Sequence, residues 1–199
     1  MTKQSQITPA APFTDAEVTA NGEPRAKVAL ERLETLWFNT GTLCNIECID
    51  CYIESSPTND RLVYLTLDEM KTYLDEIERH GLTTREIAFT GGEPFMNPEM
   101  NGMAGEALSR GFEVLILTNA MRPMMRPRVQ APLAALIAEY GDKLTLRISL
   151  DHHSAEAHDR LRGKDAFERT LEGMRWLKSK GARLAIAGRT IFGDSDAAS

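Results

Sequence analysis

Two rhythms of apolar residues alternate along this chain. Short runs that are apolar or of period two read as strands: Leu36 to Thr40, Glu86 to Thr90, Glu113 to Thr118, Leu144 to Leu150 and Arg183 to Arg189. Between them the spacing is helical. Met70, Tyr73, Leu74 and Ile77 predict a helix from Asp68 to His80, with Thr66 or Asp68 as its cap and Gly81 as its stop. Met100, Met103, Ala104, Ala107 and Leu108 mark a second helix, Pro98 to Arg110, stopped by Gly111. Leu133, Leu136, Ile137 and Tyr140 mark a third, closed by Gly141, and Phe167, Leu171, Met174 and Leu177 a fourth, ending at Gly181. Strands alternating with helices predict an α/β fold with a parallel sheet.

The fourth strand refines that picture. Leu144, Leu146, Ile148 and Leu150 share one face; Thr145, Arg147, Ser149 and Asp151 share the other. In an open parallel sheet both faces are covered and strands read as continuously apolar. A polar inner face predicts a lumen instead, so the expected architecture is a partial (β/α) barrel of five to six strands with helices outside. Residues 1–24, rich in Thr, Ala and Pro with a turn signal at Asn21-Gly22, read as a flexible N-terminal segment, leaving 25–199 as the core domain.

Composition narrows the class without choosing a chemistry. The 199 residues are 42% hydrophobic and 26% charged, values of a globular protein. A net charge of −6 argues against a nucleic-acid partner, which needs a basic stripe. No apolar run is long enough to span a membrane, and no apolar segment follows Lys3 as a secretion signal requires. With only three cysteines and no such signal, a reducing cytoplasm is the expected location.

Those cysteines, Cys44, Cys48 and Cys51, lie within eight residues just after the first strand. Three thiolates fit three corners of an iron–sulfur cube and leave one iron open. They also suit a buried helical stripe, although Gly41, Thr42 and Asn45 favour a loop, and they suit zinc if His152, His153 or His158 completes the set. Sites in α/β folds form at the carboxyl ends of strands. There the remaining unusual residues fall: Gly91, Gly92, Glu93 and Pro94 after the second strand, Asn119 after the third, Ser149 and Asp151 at the fourth, Arg189 at the fifth. Two glycines let backbone approach a ligand closely, and Glu93 can accept hydrogen bonds from an ammonium group. His158-Asp159 and Arg160 to Arg162 read as the solvated start of a helix. Met121 to Pro132, with Arg122, Arg126 and Arg128 among prolines, reads as an exposed loop or a substrate lid.

Together, Cys44 to Tyr52, Gly91-Gly92-Glu93-Pro94, Thr118-Asn119 and Ser149-Leu150-Asp151 resemble the radical S-adenosylmethionine superfamily over about residues 34 to 190, in the branch of cofactor-forming and peptide-maturing members typified by MoaA and PqqE. The resemblance implies a [4Fe-4S] cluster on Cys44, Cys48 and Cys51, with S-adenosylmethionine chelating the open iron. It implies that Gly91 to Glu93 bind the methionine ammonium, that Pro94 fixes the turn, and that Ser149, Arg147 or Arg162 contact the carboxylate or ribose. Tyr52, Asn119 and Asp151 complete the expected cofactor-binding set. The reaction implied is reductive cleavage to a 5′-deoxyadenosyl radical that abstracts hydrogen from an unidentified substrate, with a flavodoxin or ferredoxin as reductant. Asp50 stands where the family often has an aromatic residue, and no further cysteines supply an auxiliary cluster. The family core usually has six strands, so a chain ending soon after the fifth is expected to be short or to need a closing partner. The alternatives are a non-catalytic iron–sulfur or zinc protein, or a cofactor-binding fragment inactive without a missing region.

Overall fold

Five parallel strands pair side by side in chain order, β1 Thr35–Asn39, β2 Glu86–Thr90, β3 Glu113–Thr118, β4 Leu144–Ser149 and β5 Arg183–Ala187. This computed structural model describes residues 15–189. The crossovers carry α1 Leu67–Arg79, α2 Met100–Ser109, α3 Pro127–Tyr140, then α4 Ala155–Arg162 and α5 Ala166–Ser179 between β4 and β5. Strand order equal to chain order, with crossovers of one hand, winds every helix onto the same face. The result is a partial (β/α) barrel, not a doubly wound sheet.

The two faces differ as period two requires. Ile87, Phe89, Val114, Ile116, Leu146 and Ile148 are at most 1% exposed and form one core with Met70 and Leu74 of α1, Met103 of α2 and Leu133 of α3. The opposite face presents Leu115, Leu117, Thr145, Arg147 and Ser149, all half-buried. Register places Leu117 beside Arg147 and Arg147 beside Ala185.

Local signals set most boundaries. Thr66 caps α1 with a full capping box: its hydroxyl accepts from Glu69 N and the Glu69 carboxylate accepts from Thr66 N. Three expectations shift. β1 starts and ends one residue earlier. α3 begins at Pro127, not near Leu133, because Pro at the first helical position surrenders no hydrogen bond, and Pro132 is held inside the helix. The stretch from Met121 is therefore not an exposed loop: Met121, Pro123 and Met124 are buried, and Arg126 caps the helix. A short helix, α4, precedes α5, and His158 on it is fully buried, so that stretch is not a solvated face.

The described residues up to Glu31 belong to one unit and those from Arg32 to another; the first fourteen residues of the N-terminal segment expected from composition lie outside the described residues. Within its described part, Val18 bridges Pro24 around a turn where Gly22 N donates to Thr19 O and Gly22 has φ +81°. Among the described residues, no helix is long and apolar enough to cross a membrane.

Candidate functional site

A cavity of about 280 Å³ opens at the carboxyl ends of the strands, and Cys44, Cys48 and Cys51 all line it. They sit on a loop between β1 and α1, and all three thiols are unpaired. Asp50 and Glu54 take positive φ, so the loop curls around the third cysteine and is no helical stripe. Cys44 N donates to Ser56 O at 3.0 Å, and Ser55 N donates to Cys51 Sγ at 3.3 Å. Burial, then the nearby Glu93 carboxylate, pushes the Cys44 thiol up to about 12, against the pull of the Ile46 and Asn45 N–H groups. Burial also raises Cys48, while the charges of Arg162 and Arg189 pull it back down.

The two glycines after β2 serve a contact the sequence reading did not assign them. A Cβ on Gly92 would lie 2.2 Å from Leu43 O, and one on Gly91, at φ +141°, 2.7 Å from Gly41 O. Gly92 N donates to Gly41 O at 2.9 Å and Glu93 N to Leu43 O at 3.1 Å. The cysteine loop thus lies flat on this backbone, and only glycine permits that approach. The other side of Gly91 and Gly92 lines the cavity.

Glu93 does not line it. The side chain is 2% exposed and its carboxylate accepts from Thr118 Oγ1 (2.7 Å), Asn119 N (2.8 Å) and Phe95 N (3.2 Å). It joins the ends of β2 and β3 and caps the short 3-10 turn Pro94–Met96, whose first residue is Pro94. Burial raises its pKa, and the three donors oppose the rise. Asn119 carries the connection onward. Its Nδ2 donates to Asn45 Oδ1 at 2.9 Å and faces Cys44 Sγ at 3.9 Å, and its carbonyl accepts from Thr170 Oγ1 on α5.

At the far side, Asp151 is sealed between two arginines. Arg162 donates to both its oxygens (2.6 and 3.1 Å), and so does Arg189 (3.1 and 2.7 Å). Burial alone would raise this carboxyl; the hydrogen bonds from Arg189 and Arg162 and their charges overcome it and bring it down to about 2. With both oxygens taken, Asp151 positions the two guanidiniums, which line the cavity beside Cys48. Arg189 also donates to Ile49 O at 2.7 Å, and Ile49 N donates to Leu161 O. The His158 ring accepts from Asp151 N, and burial, then the Arg162 charge, lowers its pKa.

Ser149 and Tyr52 also line the cavity, Tyr52 with 78% of its surface exposed. Pro94 and Arg147 do not; Arg147 lies on the inner face two residues before Ser149. Arg122, Arg126 and Arg128 are also absent from the lining, and Arg126 Nη2 rests on Met96 Sδ at 3.7 Å. None of His152, His153 and His158 reaches it, and His152 Nδ1 instead bonds Ser154. Among the described residues, no three Cys, His, Asp or Glu side chains close around one point as a single ion requires. Three free thiols spread over one cavity wall, with no histidine beside them, fit a cluster gripped at separate corners.

Sequence reasoning missed three features of this site. Ser55, fully buried, lines the cavity. Arg162 and Arg189 share the Asp151 carboxylate, a long-range contact that no local pattern signals. Gly173 in α5 is the third: a Cβ there would lie 1.8 Å from Ala120 O, and a glycine inside a strong helical pattern was the available clue.

The chain belongs to the Radical SAM superfamily, whose pattern it matches over residues 38–195. Members of this class of enzymes bind a [4Fe-4S] cluster and S-adenosylmethionine. The antilisterial bacteriocin subtilosin biosynthesis protein AlbA of Bacillus subtilis is 32% identical over 145 residues, 72% of this chain and 30% of that protein. The AdoMet-dependent heme synthase of Methanosarcina barkeri is 32% identical over 139 residues, 68% of this chain and 36% of that protein. The chain therefore spans about a third of the length of these relatives. In fold it is similar to Streptococcus suis SuiB bound to S-adenosylmethionine, with a TM-score of 0.65 at 15% identity over 83% of this chain and 35% of SuiB.

Proposed function

We propose that this domain is the catalytic core of a radical S-adenosylmethionine enzyme, with Cys44, Cys48 and Cys51 holding its cluster. When bound, the reduced cluster supplies the electron that cleaves S-adenosylmethionine to methionine and a 5′-deoxyadenosyl radical, which takes hydrogen from the substrate. The observation that supports this best is the meeting, in one cavity, of three free thiols, the Gly91–Gly92 backbone and two guanidiniums tied to one carboxylate.

The residues divide the remaining work. Cys44 surrenders a proton on ligation, since its thiol is protonated until metal displaces it. The Glu93 carboxylate is occupied, so the methionine ammonium falls to the carbonyls around Gly91 and Gly92. Arg162 and Arg189 face the methionine carboxylate, and Ser149 faces the ribose. Asn119 orients the loop through Asn45. Arg147, whose side chain makes no hydrogen bond among the described residues, faces the substrate side of the inner face. The electron donor is a small reductant protein such as a flavodoxin or ferredoxin. Relatives named for bacteriocin biosynthesis and for heme synthesis share this core. The core therefore sets the radical step, and what faces the inner side of the sheet sets the substrate.

Anaerobic reconstitution with iron and sulfide, then dithionite and S-adenosylmethionine, is expected to yield 5′-deoxyadenosine. Yield no greater than that of a Cys48→Ala control, at full cluster loading of the native chain, would refute the proposal. One zinc per chain and no brown chromophore would favour the non-catalytic alternative.

A further inference from the structure

Ser55 is the buried polar side chain that nothing above explains. It is 3% exposed, its Oγ has no hydrogen-bond partner, and it lines the cavity beside the cysteines. A buried hydroxyl without a partner costs free energy unless a bound group completes it. The other unpartnered buried atoms among the described residues, on Thr84, Asn101 and His158, belong to residues outside this cavity.

The main chain on both sides of Ser55 is tied down. Ser55 N donates to Cys51 Sγ at 3.3 Å, Ser56 O accepts from Cys44 N at 3.0 Å, and Glu54 O accepts from Asn59 Nδ2 at 2.8 Å. Leu43 and Ser56 form a parallel bridge. One residue thus faces the cluster-binding wall with a backbone N–H already on a ligand sulfur and a hydroxyl still to be used. Resting on the cluster reading above, we propose that Ser55 Oγ–H donates a hydrogen bond to a sulfur of the bound cluster and thereby sets its reduction potential. Donors to cluster sulfurs stabilise the extra negative charge of the reduced form and make the cluster easier to reduce. Ser55 transfers no proton and no electron; it is a positioning and tuning residue.

The test is an EPR-monitored redox titration of the reconstituted full chain without S-adenosylmethionine. It compares the native protein with Ser55→Ala, which removes the donor, and Ser55→Thr, which keeps it. Ser55→Ala is expected to lower the midpoint by three- to tenfold in the one-electron equilibrium, tenfold being ~59 mV. Ser55→Thr is expected to stay at the native value. After exchange into D2O, ENDOR of the reduced cluster is expected to lose one exchangeable coupling in Ser55→Ala alone. An unchanged midpoint and unchanged couplings would overturn the proposal. So would a change that appears only with S-adenosylmethionine present, which would assign the hydroxyl to that ligand. Ser55→Gly replaces Ser55→Ala if the latter fails to load. Failure of both to load, with native circular dichroism, would also overturn it, because such a donor tunes a cluster and does not hold it. A native chain that binds no cluster refutes the reading beneath the proposal instead.

Discussion

Gly92→Ala tests whether the Gly-Gly pair exists for the cysteine loop. The added Cβ would sit 2.2 Å from Leu43 O, 2.6 Å from Leu43 C and 2.8 Å from Thr42 O. All three are backbone atoms, so no side chain can turn aside. Ordinary contact begins at 3.4 Å, and the loop must retreat by about 1.2 Å. That retreat breaks the bonds from Gly92 N to Gly41 O and from Glu93 N to Leu43 O. Two lost hydrogen bonds at ~0.5–1.5 kcal/mol each, plus ~1–3 kcal/mol of overpacking, give roughly 2–6 kcal/mol. Urea unfolding of the apo chain under reducing conditions measures this, and iron and sulfide quantitation after reconstitution measures the loss of loading. Gly105→Ala is the control. Its Cβ would meet only Leu136 Cδ2 at 3.4 Å, inside α2, and alanine there is expected to be neutral or to gain up to ~1 kcal/mol. If Gly92→Ala unfolds within ~0.5 kcal/mol of the native chain and binds as much iron, the close-approach argument is wrong.

Gly173→Ala is expected to cost at least ~3 kcal/mol, since its Cβ would overlap Ala120 O at 1.8 Å; thermal unfolding checks it, and a native melting temperature would refute it. Asp151→Asn is expected to lose roughly 2–4 kcal/mol by leaving Arg162 and Arg189 unneutralised, read by urea titration at neutral pH. The same residue gives a pH signature. Its folded pKa, about 2, lies below its ordinary 3.8, so its stabilisation is complete above about pH 4 and is lost as pH falls through about 2. That acid-side loss, on the order of 2 kcal/mol, should be missing from Asp151→Asn, and equal slopes in the two proteins would refute the assignment. Thr66→Ala removes the hydroxyl half of the α1 capping box and is expected to cost about 1 kcal/mol in chemical denaturation without changing iron content.

The strands were legible because a sheet with one covered face writes period two into the sequence. Glu86 to Thr90 and Glu113 to Thr118 are the same in sequence pattern and in structure. The alternation in Leu144 to Ser149 also marked which face the helices cover. Helix starts were harder to see. The prolines at 127 and 132 look like breakers until one is placed at the first helical position, where its missing N–H costs nothing. His158 looked solvated because its neighbours are charged, whereas its position on α4 turns it into the core, against Phe167. Contacts between distant segments leave no local trace. Nothing near residue 151 reveals that two arginines, 11 and 38 residues further on, share its carboxylate. Nor does a glycine pair reveal whether a ligand or the chain itself comes close.

The Arg189-to-Ile49 hydrogen bond joins residues 140 positions apart, and its donor stands just past β5. During synthesis the thiol-bearing segment emerges early, and its tether emerges only after β5. A chain clipped before Arg189 is therefore expected to leave the thiol-bearing loop untied and to take up less iron on reconstitution than the intact chain.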